Sequence, residues 1–258
     1  MRMNILDVKD LTVIINNKVI LDRIDLSIEK GELLGILGPN GAGKTTFFKA
    51  ILGLIDYDGS ISIFNYKDDE RIKVLPFISY LPQKINIDNN FPVTVNDLIS
   101  TAFIQLKYMR KHKKLLEKQG YEWSDYDISI DKVLDIVGLK NKKDVRIGNL
   151  SGGELQRALI AKVLICKSPL LILDEPFTAL DTDAQKMLSD LLKMLNEEYD
   201  ITVILAAHDL LLLLKLANNI ACMNKKMFFH GSKDECMNND MLKYYSESAM
   251  HFHMEEHE

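Results

Sequence analysis

Gly38-Pro39-Asn40-Gly41-Ala42-Gly43-Lys44-Thr45-Thr46 fits the pattern G-x-x-x-x-G-K-[ST] and lies where that pattern must lie, between a strand and a helix. Ahead of it, Leu33-Leu34-Gly35-Ile36-Leu37 is a short apolar run that predicts a buried strand. Behind it, Thr45 to Leu54 predicts a helix closed by Gly53. Such a turn aims loop amides and a helix N-terminus at phosphate oxygens. Gly41 and Gly43 allow the loop to curl where a β-carbon would clash or forbid the dihedrals. Lys44 brings a flexible point charge to the β- and γ-phosphates, Thr45 a hydroxyl for Mg²⁺, and Thr46 a further phosphate contact. The implied ligand is a nucleoside triphosphate.

Outward from this loop, the pattern is α/β. From Asn4 to Ile28 two alternating stretches flank Asn16-Asn17-Lys18, which predicts an antiparallel hairpin. Tyr57-Asp58-Gly59 opens a short strand pair through Phe64, and Ile78 to Leu81 is a strand ending at Pro82-Gln83. Between about Thr94 and Cys166 the pattern is helical, with Val95, Leu98, Ile99 and Ala102 on one face and Val133, Leu134, Ile136 and Val137 in a later helix. This interval is expected to be an inserted helical lobe. The rhythm then resumes with Leu170 to Asp174, a helix striped by Ala184, Met187, Leu188, Leu191, Leu192 and Leu195, and a strand from Ile201 to Ala206. The last thirty or so residues are expected to form an appendage.

The chain has 258 residues, enough for one large α/β domain with an inserted lobe. The nearest approach to a membrane span, Ile201 to Ala221, is broken by His208, Asp209, Lys215, Asn218 and Asn219. Met1 to Asp7 lacks the apolar run of a signal peptide, and Cys166, Cys222 and Cys236 have neither metal-site spacing nor an even number. A cytosolic protein with free thiols is expected. The formal net charge of −5 argues against a nucleic-acid surface, and the basic stretch Lys107 to Lys118 reads as a solvated helix face offset by the acidic run Glu122 to Asp131.

Leu150-Ser151-Gly152-Gly153-Glu154-Leu155-Gln156-Arg157 is the second strong signal, since a Ser cap and two glycines open a helix suited to another phosphate. Here the sequence resembles the ATP-binding-cassette family, whose signature is this string. The resemblance covers nearly the whole chain. It implies a P-loop NTPase core of the RecA-like kind, an N-terminal antiparallel β subdomain and an inserted α-helical lobe. The single cassette would span 1–240, with the lobe at about 84–166, and 241–258 would form a helix end and tail. It implies ATP with Mg²⁺, and a head-to-tail homodimer in which Ser151, Gly152 and Gly153 of one chain close the nucleotide of the other. Asp174 matches the Walker B carboxylate and, with Thr45 and Gln83, would serve Mg²⁺. Glu175 matches the catalytic base, Gln83 the Q-loop glutamine, Ala179-Leu180-Asp181 the D-loop, and His208 the switch histidine. The family usually stacks an aromatic side chain on adenine from the first hairpin; Ile15 stands at that position, so base contact here would rest on aliphatic burial.

Phe91-Pro92-Val93-Thr94-Val95-Asn96-Asp97-Leu98 is similar to the string in ATPases of bacterial zinc and manganese importers, although Thr101-Ala102-Phe103-Ile104 replaces their usual Gly-Arg. The resemblance therefore implies import of a divalent transition metal through a separate permease, with an extracytoplasmic metal-binding protein as an indirect partner and residence on the inner face of the membrane. Siderophore importers and the soluble cassette ATPases of iron–sulfur cluster assembly are the alternatives. His251, His253 and His257 stand among Glu255, Glu256 and Glu258; a solvated polar end is the first reading and a Zn²⁺ set the second.

Overall fold

The structure, a computed structural model, describes residues 3–83, 92–123, 129–178 and 180–238. In chain order the first half holds β1 (Asn4–Ile15), β2 (Lys18–Glu29), β3 (Leu33–Leu37), α1 (Lys44–Ile51), β4 (Asp58–Ile63), β5 (Tyr66–Lys67) and β6 (Ile78–Leu81). Helices α2 (Val95–Ser100), α3 (Ala102–His112), α4 (Lys114–Glu117), α5 (Ile130–Ile136) and α6 (Gly152–Ile165) follow. The chain then runs through β7 (Leu170–Asp174), α7 (Thr182–Tyr199), β8 (Thr202–Ala207), α8 (Leu210–Leu216), β9 (Asn219–Asn224), β10 (Lys226–Ser232) and α9 (Lys233–Met237).

Two sheets result. Strands β2-β1-β4-β5 form an antiparallel sheet, and β10-β9-β3-β8-β7-β6 form the second, in which β3 pairs in parallel with β8 and β9, and β7 with β6 and β8. The first hairpin turns at Asn16 and Asn17, whose φ of 50° and 60° give the positive dihedrals that a two-residue hairpin turn needs.

The apolar runs in β3, β7 and β8 are explained by burial on both faces. Leu33, Leu37, Leu171, Leu173, Val203 and Leu205 point into a core shared with α2, α5, α6, α7 and α8. The alternate residues Leu34, Ile36, Leu170, Ile172 and Ile204 face a second core, where Phe47 and Phe48 of α1 separate the two sheets.

The helical interval divides between these cores. Leu106 and Met109 of α3, Leu116 of α4, and Tyr121 pack with the antiparallel sheet, and Tyr66 Oη donates to Leu115 O at 3.0 Å. Helices α2, α5 and α6 pack on the other side. Part of the expected appendage belongs to the main sheet instead: β10 pairs antiparallel with β9, and β9 lies beside β3. The expected tail at 241–258 lies outside the described residues.

Helix α1 stops at Ile51 because Leu54 N–H reaches back to Lys49 O at 2.9 Å and Gly53 N–H to Ala50 O at 3.0 Å, with Gly53 at φ 69°. This is the left-handed glycine stop of a Schellman motif. Gly53→Ala is expected to cost about 1 kcal/mol in urea unfolding, because alanine must enter the left-handed region.

Candidate active site

Strand β3 delivers the loop 38–43, and α1 begins at once with Lys44. Gly43 sits at φ 99° as the residue before the helix, and a β-carbon there would stand 2.5 Å from Leu21 Cδ2; Gly41 sits at φ 81°. Both glycines are therefore required by the loop's geometry, as the sequence predicts. The loop is anchored by Lys225 N–H donating to Ala42 O at 2.9 Å, which ties it to the turn between β9 and β10. A cleft of about 260 Å³ opens over it, lined by Ile20, Pro39, Asn40, Gly41, Ala42, Gly43, Lys44, Thr45, Thr46, Gln83, Asp174 and Glu175.

Two consecutive carboxylates enter this cleft from the end of β7. Asp174 Oδ2 accepts a hydrogen bond from Thr45 Oγ1 at 2.6 Å, and Asp174 Oδ1 is buried without a hydrogen-bond partner among the described residues. Burial, reinforced by the neighbouring charge of Glu175, pushes the Asp174 carboxyl above its ordinary range, against the pull of Thr45. An unpaired carboxylate oxygen beside a hydroxyl is a hard-oxygen set that fits Mg²⁺. Gln83, exposed at the end of β6, lines the same cleft.

Glu175 is held differently. Its side chain is 4% exposed; Lys44 Nζ lies 3.1 Å from Oε1 and His208 Nδ1 lies 2.8 Å from Oε2. Burial alone would raise this carboxyl, but the hydrogen bond with His208 and the charge of Lys44 outweigh it, so it titrates below the ordinary range. Lys44 Nζ also donates to Gly38 O at 2.5 Å, so the lysine bridges the loop and the carboxylate. Three residues distant in sequence, Lys44, Glu175 and His208, thus form one chain of polar contacts.

The signature residues lie elsewhere. Ser151 caps α6, its Oγ accepting from Glu154 N–H at 3.3 Å while Glu154 Oε2 accepts from Ser151 N–H at 2.9 Å. Lys142 Nζ lies 2.5 Å from Glu154 Oε1, and with the Ser151 amide it holds the Glu154 carboxyl down to about 2. Ser151 and Gly152 are exposed, and neither they nor Gly153 line the cleft over the chain's own loop. Asp181 caps α7, its Oδ1 accepting from Ala184 N–H at 2.8 Å, and is likewise absent from that lining.

Ile15 is 41% exposed at the hairpin tip and does not line the cleft, whereas Ile20 on the returning strand does. Ile15 is the residue that the resemblance places against the base; the strand returning from the turn at Asn16-Asn17 brings Ile20 over the phosphate loop. Thr178, and a role for Gln156 beyond its place in the 150–157 string, have no signal in the sequence, although both contact the Glu175 segment: Thr178 Oγ1 donates to Glu175 O at 3.1 Å and Gln156 Nε2 to Pro176 O at 3.0 Å. Ala179, Phe91, His251, His253 and His257 lie outside the described residues. Among the described residues, no helix is long and apolar enough to cross a membrane.

A family model described as ABC transporter matches residues 21–178. The chain is similar to a probable metal transport system ATP-binding protein of Thermotoga maritima, with 33% identity over 245 residues that cover 95% of this chain and 92% of the relative. It is 34% identical to the zinc uptake system ATP-binding protein ZurA of Listeria innocua, covering 90% of this chain and 87% of the relative. Among solved structures, cbiO1 of Clostridium perfringens, part of the ABC transporter complex cbiONQ, matches with a TM-score of 0.69 at 27% identity, covering 93% and 92% of the two chains. An ATP binding subunit of an ABC transporter matches in fold with a TM-score of 0.75 at 22% identity, covering 90% and 91%.

Proposed function

The chain belongs to the ABC transporter family, and from that premise we propose that it is the ATP-hydrolysing subunit of an importer that carries a divalent transition metal, zinc or manganese, through a separate membrane permease. The contact chain Lys44–Glu175–His208 beside Thr45–Asp174 carries the hydrolytic part of this reading. The metal cargo is supported by the relatives, whose names are those of metal and zinc transport ATP-binding proteins.

In this reading the triphosphate lies along the loop 38–46 with its phosphates toward the amides that open α1. Lys44 exchanges Gly38 O and Glu175 for the β- and γ-phosphates, and this exchange frees the Glu175 carboxylate to accept a proton from the attacking water. His208, already bonded to Glu175, fixes that carboxylate and reaches the γ-phosphate. Thr45, Asp174 and Gln83 would hold Mg²⁺, which neutralises charge on the β- and γ-phosphate oxygens.

Ser151, Gly152 and Gly153 lie outside the chain's own cleft at a helix start, with Ser151 and Gly152 exposed and Gly153 half-buried. Their natural ligand is the γ-phosphate in the cleft of a second copy, which makes the working unit a head-to-tail homodimer. Closure of that dimer would drive the permease from the membrane's inner face, and the permease would receive the ion from an extracytoplasmic metal-binding protein.

Two measurements test this. Glu175→Gln, expected to retain unhydrolysed ATP, should run as a monomer without nucleotide and as a dimer with ATP and Mg²⁺ in size-exclusion chromatography; a monomer at saturating ATP counts against the shared site. Reconstituted with its permease, the wild-type protein should raise its ATPase rate when a zinc- or manganese-loaded binding protein is added. Stimulation by a metal-free solute alone would reject the cargo.

A further inference from the structure

The loop that carries Glu175 leaves regular structure immediately after β7. Glu175 itself sits at φ 54°, a left-handed conformation that a β-carbon makes costly and that persists only when its surroundings hold it. Its N–H still donates to Ala206 O at 3.0 Å, as though continuing the strand. Beyond that point, carbonyls lose strand partners and need donors from elsewhere.

Side-chain amides supply them. Gln185 of α7 donates Nε2 to Phe177 O and to Leu180 O, each at 3.2 Å, and so holds the far end of the loop. Gln156 of α6 donates Nε2 to Pro176 O at 3.0 Å, with Glu175 O at 3.4 Å. Thr178 Oγ1 donates to Glu175 O at 3.1 Å from within the loop. Gln156 is thus the one side chain among these that reaches the base's own end of the loop from another element. It stands on the same helix that Ser151 caps, five positions along.

We infer that Gln156 is a positioning residue for Glu175: it fixes the strained peptide after the base and makes the angle of that carboxylate depend on the placement of α6. This rests on Glu175 being the general base. Gln156 does not line the cleft over the loop 38–46. Its effect is confined to turnover because it acts on a peptide carbonyl behind the reacting carboxylate. A displacement of about 1 Å at a reacting group is enough to cost about 10²-fold in rate. Because α6 also presents Ser151 and Gly152, a phosphate bound at the helix start in a dimer would press on the base of the opposite site through this side chain.

The test is a double-mutant cycle on the purified full chain. Gln156→Met is nearly isosteric and donates nothing; Gln156→Glu is isosteric, replaces the donor with an acceptor, and serves as the second variant should the first fold poorly. Either should lower kcat about 10- to 100-fold while leaving KM for ATP, and the affinity for ADP, within about twofold of wild type. In a Glu175→Ala background, the same substitution should lower the residual single-turnover rate less than about twofold, because the group it positions is gone. A Gln156 variant with kcat near wild type overturns the inference, and so does an equal loss in both backgrounds, which marks a general structural role. Near-wild-type turnover by Glu175→Ala alone overturns the base assignment itself, and this inference with it.

Discussion

Glu175→Gln is expected to bind ATP at least as tightly as the wild type and to hydrolyse it on the order of 10² times more slowly or worse. Glu175 sits in the cleft beside Lys44 and Thr45, with Oε2 on His208 Nδ1 and Oε1 on Lys44 Nζ. Glutamine keeps the shape and the contact to His208 but has no basic oxygen for a water proton. It also removes the anion that holds Lys44, so the lysine meets the phosphates without first breaking an ion pair, and binding should not weaken. Single-turnover hydrolysis with excess enzyme, alongside titration of a fluorescent ATP analogue, separates the two effects. Hydrolysis within a few-fold of wild type would sink the assignment. Weakened binding with proportionate loss of turnover would instead make Glu175 part of the nucleotide's cradle.

Much of this arrangement was legible in the sequence because the strongest elements are those whose local chemistry and long-range packing agree. The apolar runs of β3 and β7 are buried on both faces of a parallel sheet, so their lengths followed directly. The loop 38–43 and the acid pair Asp174-Glu175 end those strands, and each motif carries its own dihedral or charge requirement. Strands β9 and β10 were less visible: Ile220 to Met223 is a short apolar run, and β10, an edge strand, has mostly half-buried residues with weak alternation. The division of the helical interval was hidden for a different reason. Leu106, Met109 and Leu116 have helical spacing that says which side is buried and nothing about which sheet buries it. Ile20's place over the phosphate loop was hidden for want of the same information, since Ile15 and Ile20 are both apolar residues a few positions from one turn. Gln156 and Thr178 are the hardest cases. Their partners are backbone carbonyls, and a carbonyl leaves no trace in the sequence.

Lys44→Ala should weaken ATP binding on the order of 10²-fold and, without nucleotide, should also destabilise the folded protein. The two effects have opposite dependence on Glu175, which makes them separable. For binding, the ammonium is the point charge of the β- and γ-phosphates, and neither the loop amides nor Thr45 can replace it. For stability, Lys44 and Glu175 are 6% and 4% exposed, and removing the cation leaves a buried carboxylate with His208 and the Thr178 hydroxyl, 3.4 Å from Oε2, but no lysine opposite. Loss of one member of a buried pair costs about 3 kcal/mol, because the charge left behind has lost its partner without regaining water. The carboxyl should then rise in pKa as burial, no longer opposed by Lys44, gains weight. Adding Glu175→Gln to Lys44→Ala removes that stranded charge. The double variant should therefore recover most of the lost stability in urea unfolding while recovering none of the ATP affinity in titration. Recovery of both would mean that Lys44 serves the nucleotide only by neutralising Glu175; recovery of neither would mean that the stability lost with Lys44 comes from its bond to Gly38 O and from packing in the loop rather than from the ion pair.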